Sequence, residues 1–213
     1  MPVLYAATTN QGKLRDFSTA AQAFGVEIEP LTILATIPAP EETGTTFEEN
    51  AVLKAIYYSR FAPSEIIIAD DSGLEVDALN GAPGVRSARF ASDSGLADSP
   101  DAPLDNTDVW NNILLLKKLE RIPAEQRTAR YRCVLAAARN GEILHTAEGS
   151  VEGIIPNAPR GTGGFGYDPL FYYPPFGCSF GEVDGPRKFE VSHRGKALRE
   201  LLQYCSEQGS EER

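Results

Sequence analysis

Residues 66–74 read Ile-Ile-Ile-Ala-Asp-Asp-Ser-Gly-Leu, a short apolar run that ends on two adjacent carboxylates, a hydroxyl and a glycine. Ile66, Ile67 and Ile68 are β-branched and suit a buried strand. A sheet interior tolerates charge badly, so Asp70 and Asp71 are expected where the strand leaves the core. In open α/β sheets ligands bind at that edge. Successive strand residues face opposite ways, so only one of the two acids need point into a cleft. Read alone, a strand end with a solvated Asp-Ser-Gly turn is the preferred account. The motifs around it shift the balance.

Upstream, Val3–Ala7 reads as a first strand, followed by Thr8-Thr9-Asn10 and a helix from about Gly12 to Phe24. Leu14, Phe17, Ala21 and Phe24 recur at helical spacing, and Gly25 supplies the stop. Thr46-Phe47-Glu48-Glu49 is a capping box that opens a second helix, expected to reach Phe61 before strand Ile66–Ala69. Residues 93–106 are acidic, rich in Ser, Pro and Gly, and aperiodic: a long, flexible surface loop. Val109–Leu119 is expected to be a core-facing helix through Trp110, Ile113, Leu114 and Leu116. Tyr131–Ala138 and Ile143–Glu148 flank Asn140-Gly141, a hairpin signal, and Val151–Ile155 is a further strand. Loops dense in Gly, Pro and aromatics fill 156–185, with one short strand around Leu170–Tyr173. A last helix spans about Gly195 to Cys205 on Leu198, Leu201 and Leu202, leaving a tail, 206–213, expected to be disordered. No repeat and no clear linker divides the chain, which is read as one α/β domain over 1–213 with a mixed β-sheet flanked by helices.

At 213 residues, 42% hydrophobic and 23% charged, the chain has ample core for a globular fold. No apolar stretch nears the roughly 18 residues of a membrane helix, and no signal peptide is expected at the start. Three widely spaced cysteines match no zinc or disulfide pattern, and a reducing cytoplasmic setting is the simplest home. With 30 acids against 20 bases the net charge is −10, which argues against a nucleic-acid partner. A small phosphorylated ligand stays compatible if a few Lys and Arg converge, and the acidic excess suits a protein that recruits a divalent cation.

Four constellations can carry chemistry. Thr8-Thr9-Asn10-Gln11-Gly12-Lys13 lies at a strand–helix turn, where helix-start amides and Lys13 favour anions, although it is no Walker A loop. Asn50 and Lys54 share a helix face, and Glu41 or Glu42 could join the Asp70–Asp71 edge in an oxygen-only cation site of the kind Mg²⁺ uses. Gly161-Thr162-Gly163-Gly164-Phe165-Gly166-Tyr167-Asp168 lets backbone approach a ligand, offers two aromatic faces and ends on an acceptor. Lys188 and Ser192-His193-Arg194-Gly195 bring donors suited to carbonyl or phosphate oxygens. Each has a plainer reading: an ordinary turn, a cap, a linker, a pair of solvated bases.

In order along the chain, these stretches, with Glu41-Glu42-Thr43-Gly44 and Gly81-Ala82-Pro83-Gly84, resemble the inosine/xanthosine triphosphate pyrophosphatases. The resemblance spans nearly the whole chain. It implies an elongated mixed α/β fold in two lobes with a central nucleotide cleft, usually as a homodimer. It implies Mg²⁺-dependent hydrolysis of ITP, dITP and XTP to the monophosphate and pyrophosphate, removing deaminated purines from the nucleotide pool. On that resemblance Asp71 is the general base and a metal carboxylate, Glu42 the second metal acid, and Ser72 a substrate contact. Thr8, Thr9, Asn10, Gln11, Gly12, Lys13 and Lys54 bind the triphosphate. Phe165, Gly166, Tyr167 and Asp168 contact the base, and Lys188, His193 and Arg194 read the purine. Asp16 stands where the family usually has Glu, Phe189-Glu190-Val191 replaces a more typical stretch, and loop 93–106 is longer than in compact relatives. A purine-nucleotide sensor on the same fold and a pyrophosphatase for modified pyrimidines are the rival readings. The acidic set counts against the first, and Ser-His-Arg with the glycine–aromatic loop against the second.

Overall fold

A computed structural model describes residues 3–96 and 107–211. Seven strands form one mixed sheet: β1 (Val3–Ala6), β2 (Glu27–Pro30), β3 (Ile66–Val76), β4 (Thr128–Arg139), β5 (Glu142–Ile154), β6 (Tyr172–Tyr173) and β7 (Cys178–Ser179), in the order β2-β1-β3-β4-β5-β6-β7. β1 pairs in parallel with β2 and β3, while β5, β6 and β7 pair antiparallel. Among the described residues five α-helices accompany it: α1 (Gln11–Phe24), α2 (Phe47–Ser59), α3 (Thr107–Leu119), α4 (Gly185–Val191) and α5 (His193–Glu211). The α/β mixed-sheet expectation holds. Among the described residues no helix is long and apolar enough to cross a membrane.

The chain divides into two compact units, one of Met1–Asp71, Cys133–Ser150 and Phe189–Arg213, the other of Ser72–Arg132 and Val151–Lys188. In the first, strand alternation splits the isoleucines between two cores. Ile66 and Ile68 pack with Leu4, Phe17, Leu135 and Leu198, whereas Ile67 packs with Leu31 and Tyr58. The predicted capping box is present: Thr46 Oγ1 accepts the Glu49 N–H at 3.1 Å and Glu49 Oε2 accepts the Thr46 N–H at 3.2 Å. Asn140 and Gly141 both take positive φ, 52° and 84°, as a two-residue hairpin turn requires. In the second unit, Tyr131, Phe171 and Phe180 form an aromatic core, and buried Arg127 caps α3 by donating to the carbonyls of Leu119 and Ile122 at 2.8 and 2.9 Å.

Several expectations are corrected. β3 does not stop at Ala69; it continues to Val76, so Asp70 and Asp71 lie inside a strand, 4% and 7% exposed. β5 is one strand where two were expected. Gly149 lets it pass α5, because a Cβ there would collide with the His193 carbonyl. α2 ends at Ser59, and on α1 Phe24 is exposed although it completes the apolar stripe. On α3 the core face is Leu114, Leu115 and Leu119, while Val109 and Ile113 are exposed. Strand β2 and helix α4 had no predicted counterpart. Leu170 belongs to a tight turn before β6. α5 carries the chain to Glu211, through most of the tail expected to be disordered. Of loop 93–106, residues 93 and 94 lie in a short helical turn at Ser92–Ser94, 95 and 96 follow it, and 97–106 lie outside the described residues.

Candidate active site

Because β3 runs on, its two acids face opposite ways, and each meets its own cations. Asp70 Oδ2 lies 2.9 Å from Lys13 Nζ, on α1, and 3.8 Å from Arg194 Nε, on α5. Arg194 Nη1 also donates to Asp16 at 2.8 Å, so Arg194 is buried between two carboxylates. Burial alone would raise the Asp70 pKa, but Lys13, Arg194 and Lys54 outweigh it and hold the carboxyl well below its usual range.

Asp71 is treated differently. Its Oδ1 lies 3.1 Å from Lys54 Nζ and its Oδ2 accepts from Asn50 Nδ2 at 3.2 Å, both donors one turn apart on α2. Lys54 Nζ also meets Glu42 Oε1 at 3.0 Å. Burial, with the Glu42 charge behind it, raises the Asp71 pKa against the opposing pull of Lys54 and Asn50. Burial likewise disfavours the Lys54 ammonium, yet Asp71, Asp70 and Glu42 together keep it charged and raise its pKa.

Thr8, Thr9, Lys13, Glu42, Lys54 and Asp70 open onto one pocket of about 260 Å³, walled by Leu34, Ile37 and Tyr58. The pocket thus holds two ammonium groups and two hydroxyls beside carboxylates. Asn10, Gln11 and Gly12 play another part. Asn10 Oδ1 accepts the amides of Gly12 and Lys13 at 2.8 and 3.1 Å, so two helix-start amides expected to meet an anion are capped internally. Gln11 is exposed.

Among the described residues no group of three or more His, Cys, Asp or Glu could hold a metal ion. The donor set still fits a hard cation such as Mg²⁺, which needs only one or two carboxylates and takes its other oxygens from water and phosphate. Glu42 and Asp71 already converge on one positive group, the Lys54 ammonium.

In the second unit the glycine–aromatic loop is folded around Asp168, which is buried. Asp168 Oδ2 accepts the Phe165 N–H at 2.9 Å and lies 2.7 Å from Lys188 Nζ, while Oδ1 accepts from Tyr131 Oη at 3.4 Å. A Cβ at Gly164, whose φ is +72°, would collide with that carboxylate. Phe165 is half-buried, with Lys188 Nζ 5.1 Å from its ring centroid. Tyr167 offers no free face: it is 3% exposed and its hydroxyl donates to the Ser87 carbonyl at 2.8 Å. Ser72 follows Asp71 on β3, half-buried.

The structure therefore gathers Lys13, Glu42, Lys54, Asp70, Asp71 and Arg194 within the first unit, and Phe165, Asp168 and Lys188 within the second. His193 opens α5, buried, and Ser192 Oγ caps it by accepting the Gly195 N–H at 3.1 Å, the plainer role foreseen for that serine. Asp16 was noted in the sequence only as a departure from the family pattern, without its pairing with Arg194, and Tyr58 and Tyr131 were not singled out. Asp16 lies three residues beyond Lys13 and Tyr58 four beyond Lys54, so helical spacing carried a signal for both.

This arrangement has close relatives. The family model described as the Ham1 family matches residues 4–204. The chain is similar to a dITP/XTP pyrophosphatase of Acidobacterium capsulatum, 54% identical over 93% of this chain and 96% of that one. A dITP/XTP pyrophosphatase of Nitratidesulfovibrio vulgaris is 48% identical over 92% of each chain. Among solved structures, a HAM1 protein from Coxiella burnetii superimposes with a TM-score of 0.81 at 35% identity, covering 97% of this chain and 100% of that one. The Staphylococcus aureus Ham1 protein gives 0.79 at 34% identity, covering 97% and 99%. With the fold and almost the full length shared, this chain belongs to the Ham1 family.

Proposed function

We propose that the protein is a Mg²⁺-dependent nucleoside triphosphate pyrophosphatase that hydrolyses ITP, dITP and XTP to the monophosphate and pyrophosphate. The observation that carries this reading is the convergence of Glu42 and Asp71 on Lys54, beside a pocket that also holds Lys13, Thr8 and Thr9. A triphosphate carries dense negative charge, and two ammonium groups with two hydroxyls can offset it. Glu42 and Asp71 would hold the metal, which when bound supplies charge neutralisation at the phosphates. Lys54, paired here with both acids, would then be available to the phosphate chain. Asp71, its pKa above the ordinary carboxylate value, is suited to take the proton of the water that attacks the α-phosphorus. The α–β bridging bond breaks, and pyrophosphate leaves with its charge balanced by Lys13 and Lys54.

Selection for deaminated bases rests on donors. Phe165 is the ring on which a purine can stack, since Tyr167 is committed to packing. Lys188, in the same unit as Phe165, would offer an N–H group to the 6-oxo oxygen, where adenine presents an amino group and leaves a buried donor unsatisfied; base-reading roles for His193 and Arg194 rest on the family resemblance. The relatives named dITP/XTP pyrophosphatase support the same substrates. Purified protein with Mg²⁺ is offered ITP, XTP, GTP, ATP and dUTP while pyrophosphate is followed. Release from ITP and XTP well ahead of the others, abolished by EDTA, is expected; no release from either sinks the proposal.

A further inference from the structure

Phe165 is carried on a loop whose flanking residues, Gly164 and Gly166, both take left-handed φ, 72° and 63°. Glycines give such a loop little stiffness of its own, so its conformation has to be imposed from outside. Two side chains on α3 impose it. Asp108 Oδ2 accepts the Gly166 N–H at 2.7 Å, and Asn112 Nδ2 donates to the Gly166 carbonyl at 3.0 Å. The two residues stand four apart, one above the other on a single helix face. Together they occupy both backbone polar groups of Gly166. The space around the Gly166 Cα is otherwise open, so the hold is by hydrogen bonds and not by packing.

The neighbouring anchors complete the restraint. The Phe165 N–H ends on Asp168 Oδ2 and the Tyr167 hydroxyl on the Ser87 carbonyl. Phe165 therefore sits between two consecutive amides, its own and that of Gly166, each ending on a carboxylate. Its ring is left as the half-buried part of an otherwise fixed segment.

We propose that Asp108 and Asn112 are positioning residues for the purine, holding the backbone at Gly166 so that the Phe165 ring stands ready in one plane. This rests on the reading of Phe165 as the ring that stacks the base. Neither α3 side chain need touch substrate. Their effect is pre-organisation: without them the ring must be ordered at the moment of binding, and affinity for the base falls. Phosphate affinity, which depends on Lys13 and Lys54, is left alone.

The test separates the base from the phosphates. Inosine monophosphate binding is measured by calorimetry, ITP hydrolysis by steady-state kinetics, and pyrophosphate as an inhibitor. Asp108→Ala and Asn112→Ala should each weaken inosine monophosphate binding and raise KM for ITP by about tenfold, the scale of one charge-assisted or well-aligned hydrogen bond. kcat should stay within about twofold and pyrophosphate inhibition should be unchanged. Asp108→Asn keeps an acceptor oxygen and should restore most of the lost affinity. Unmoved inosine monophosphate binding in both alanine variants overturns the inference, as does pyrophosphate affinity falling in step. Failure of the parent reading shows separately, as a wild-type protein that releases no pyrophosphate from ITP while the calorimetry still reports on the clamp.

Discussion

Replacing Asp70 by Asn keeps the shape of the side chain and removes one buried charge. That carboxylate is 4% exposed, 2.9 Å from Lys13 and 3.8 Å from Arg194, itself 3% exposed. Breaking a buried ion pair by neutralising one partner costs about 3–5 kcal/mol, because the other charge keeps its desolvation penalty. Two features favour the lower end here. Lys13 retains some access to water, and Asp16 still holds Arg194 Nη1 at 2.8 Å. A loss of about 3 kcal/mol follows, and for a chain of this size each kcal/mol moves Tm by roughly 2–4 °C. Differential scanning calorimetry should therefore place Asp70→Asn about 6–12 °C below wild type. Asp71→Asn provides the contrast, since neutralising Asp71 removes its repulsion with Glu42 along with its attraction to Lys54. Its Tm should stay within about 3 °C of wild type, under 1 kcal/mol. An Asp70→Asn protein that melts within about 2 °C of wild type would refute the claim that this acid neutralises a buried cation.

Other outcomes follow from the same geometry. Asp71→Asn should lower kcat for ITP by at least about a hundredfold, the usual worth of a general base, while inosine monophosphate binding measured by calorimetry persists. Arg194→Ala should narrow the ratio of kcat/KM between ITP and ATP; an unchanged ratio removes Arg194 from base reading. Gly164→Ala must either expel Asp168 or distort a left-handed turn, so KM for ITP should rise and Tm fall, by more than about 1 kcal/mol in stability. Thr46→Ala removes the α2 cap and should cost about 1 kcal/mol, some 2–4 °C in Tm. Amides of Thr45 and Thr46 lower the Glu49 pKa, so its contribution is complete above the unfolded value near pH 4.3 and is lost as pH falls through the lower folded one. Melting curves of Glu49→Gln and wild type should differ at pH 7 and converge only once pH has fallen below the lowered folded value.

What the sequence made legible were features whose physics is local. The Thr46–Glu49 box, the Asn140-Gly141 turn and the helical stripe through Leu198, Leu201 and Leu202 need only near neighbours, and all are present. β2 was invisible because Glu-Ile-Glu-Pro is only four residues long with Ile28 as its single large apolar residue; it is an edge strand, and edges favour charge and proline. The length of β3 was misjudged because the rule against buried charge is a rule against uncompensated charge. Lys13 and Arg194, 57 residues upstream and 124 downstream of Asp70, supply the compensation, and no local window contains them. Tyr167 was read as an available face for the same reason. Its partner, the Ser87 carbonyl, lies 80 residues away. At the candidate site, what no local window could show was commitment, the partner each side chain already holds.

Commitment is what separates the two adjacent acids. Alternation along β3 sends Asp70 and Asp71 to different sides, and the company on each side differs in charge. Around Asp70 two carboxylates, with Asp16, meet two cations, Lys13 and Arg194, and the group is electrically closed. Around Asp71 two carboxylates, with Glu42, share a single ammonium, Lys54, and one negative charge is left over. The first cluster carries no surplus charge, whereas the second, with surplus negative charge in a partly buried site, is the one at which the proposed divalent cation would be favoured. Adding that cation would reverse the sign of the second cluster and turn it from repelling a triphosphate to attracting one. Burial, with the Glu42 charge behind it, raises the Asp71 pKa, which suits Asp71 better than Asp70 to accept a proton in the proposed reaction. A strand that placed both acids on one side would have merged the two clusters, leaving neither a settled charge to build on nor an unsettled one to work with.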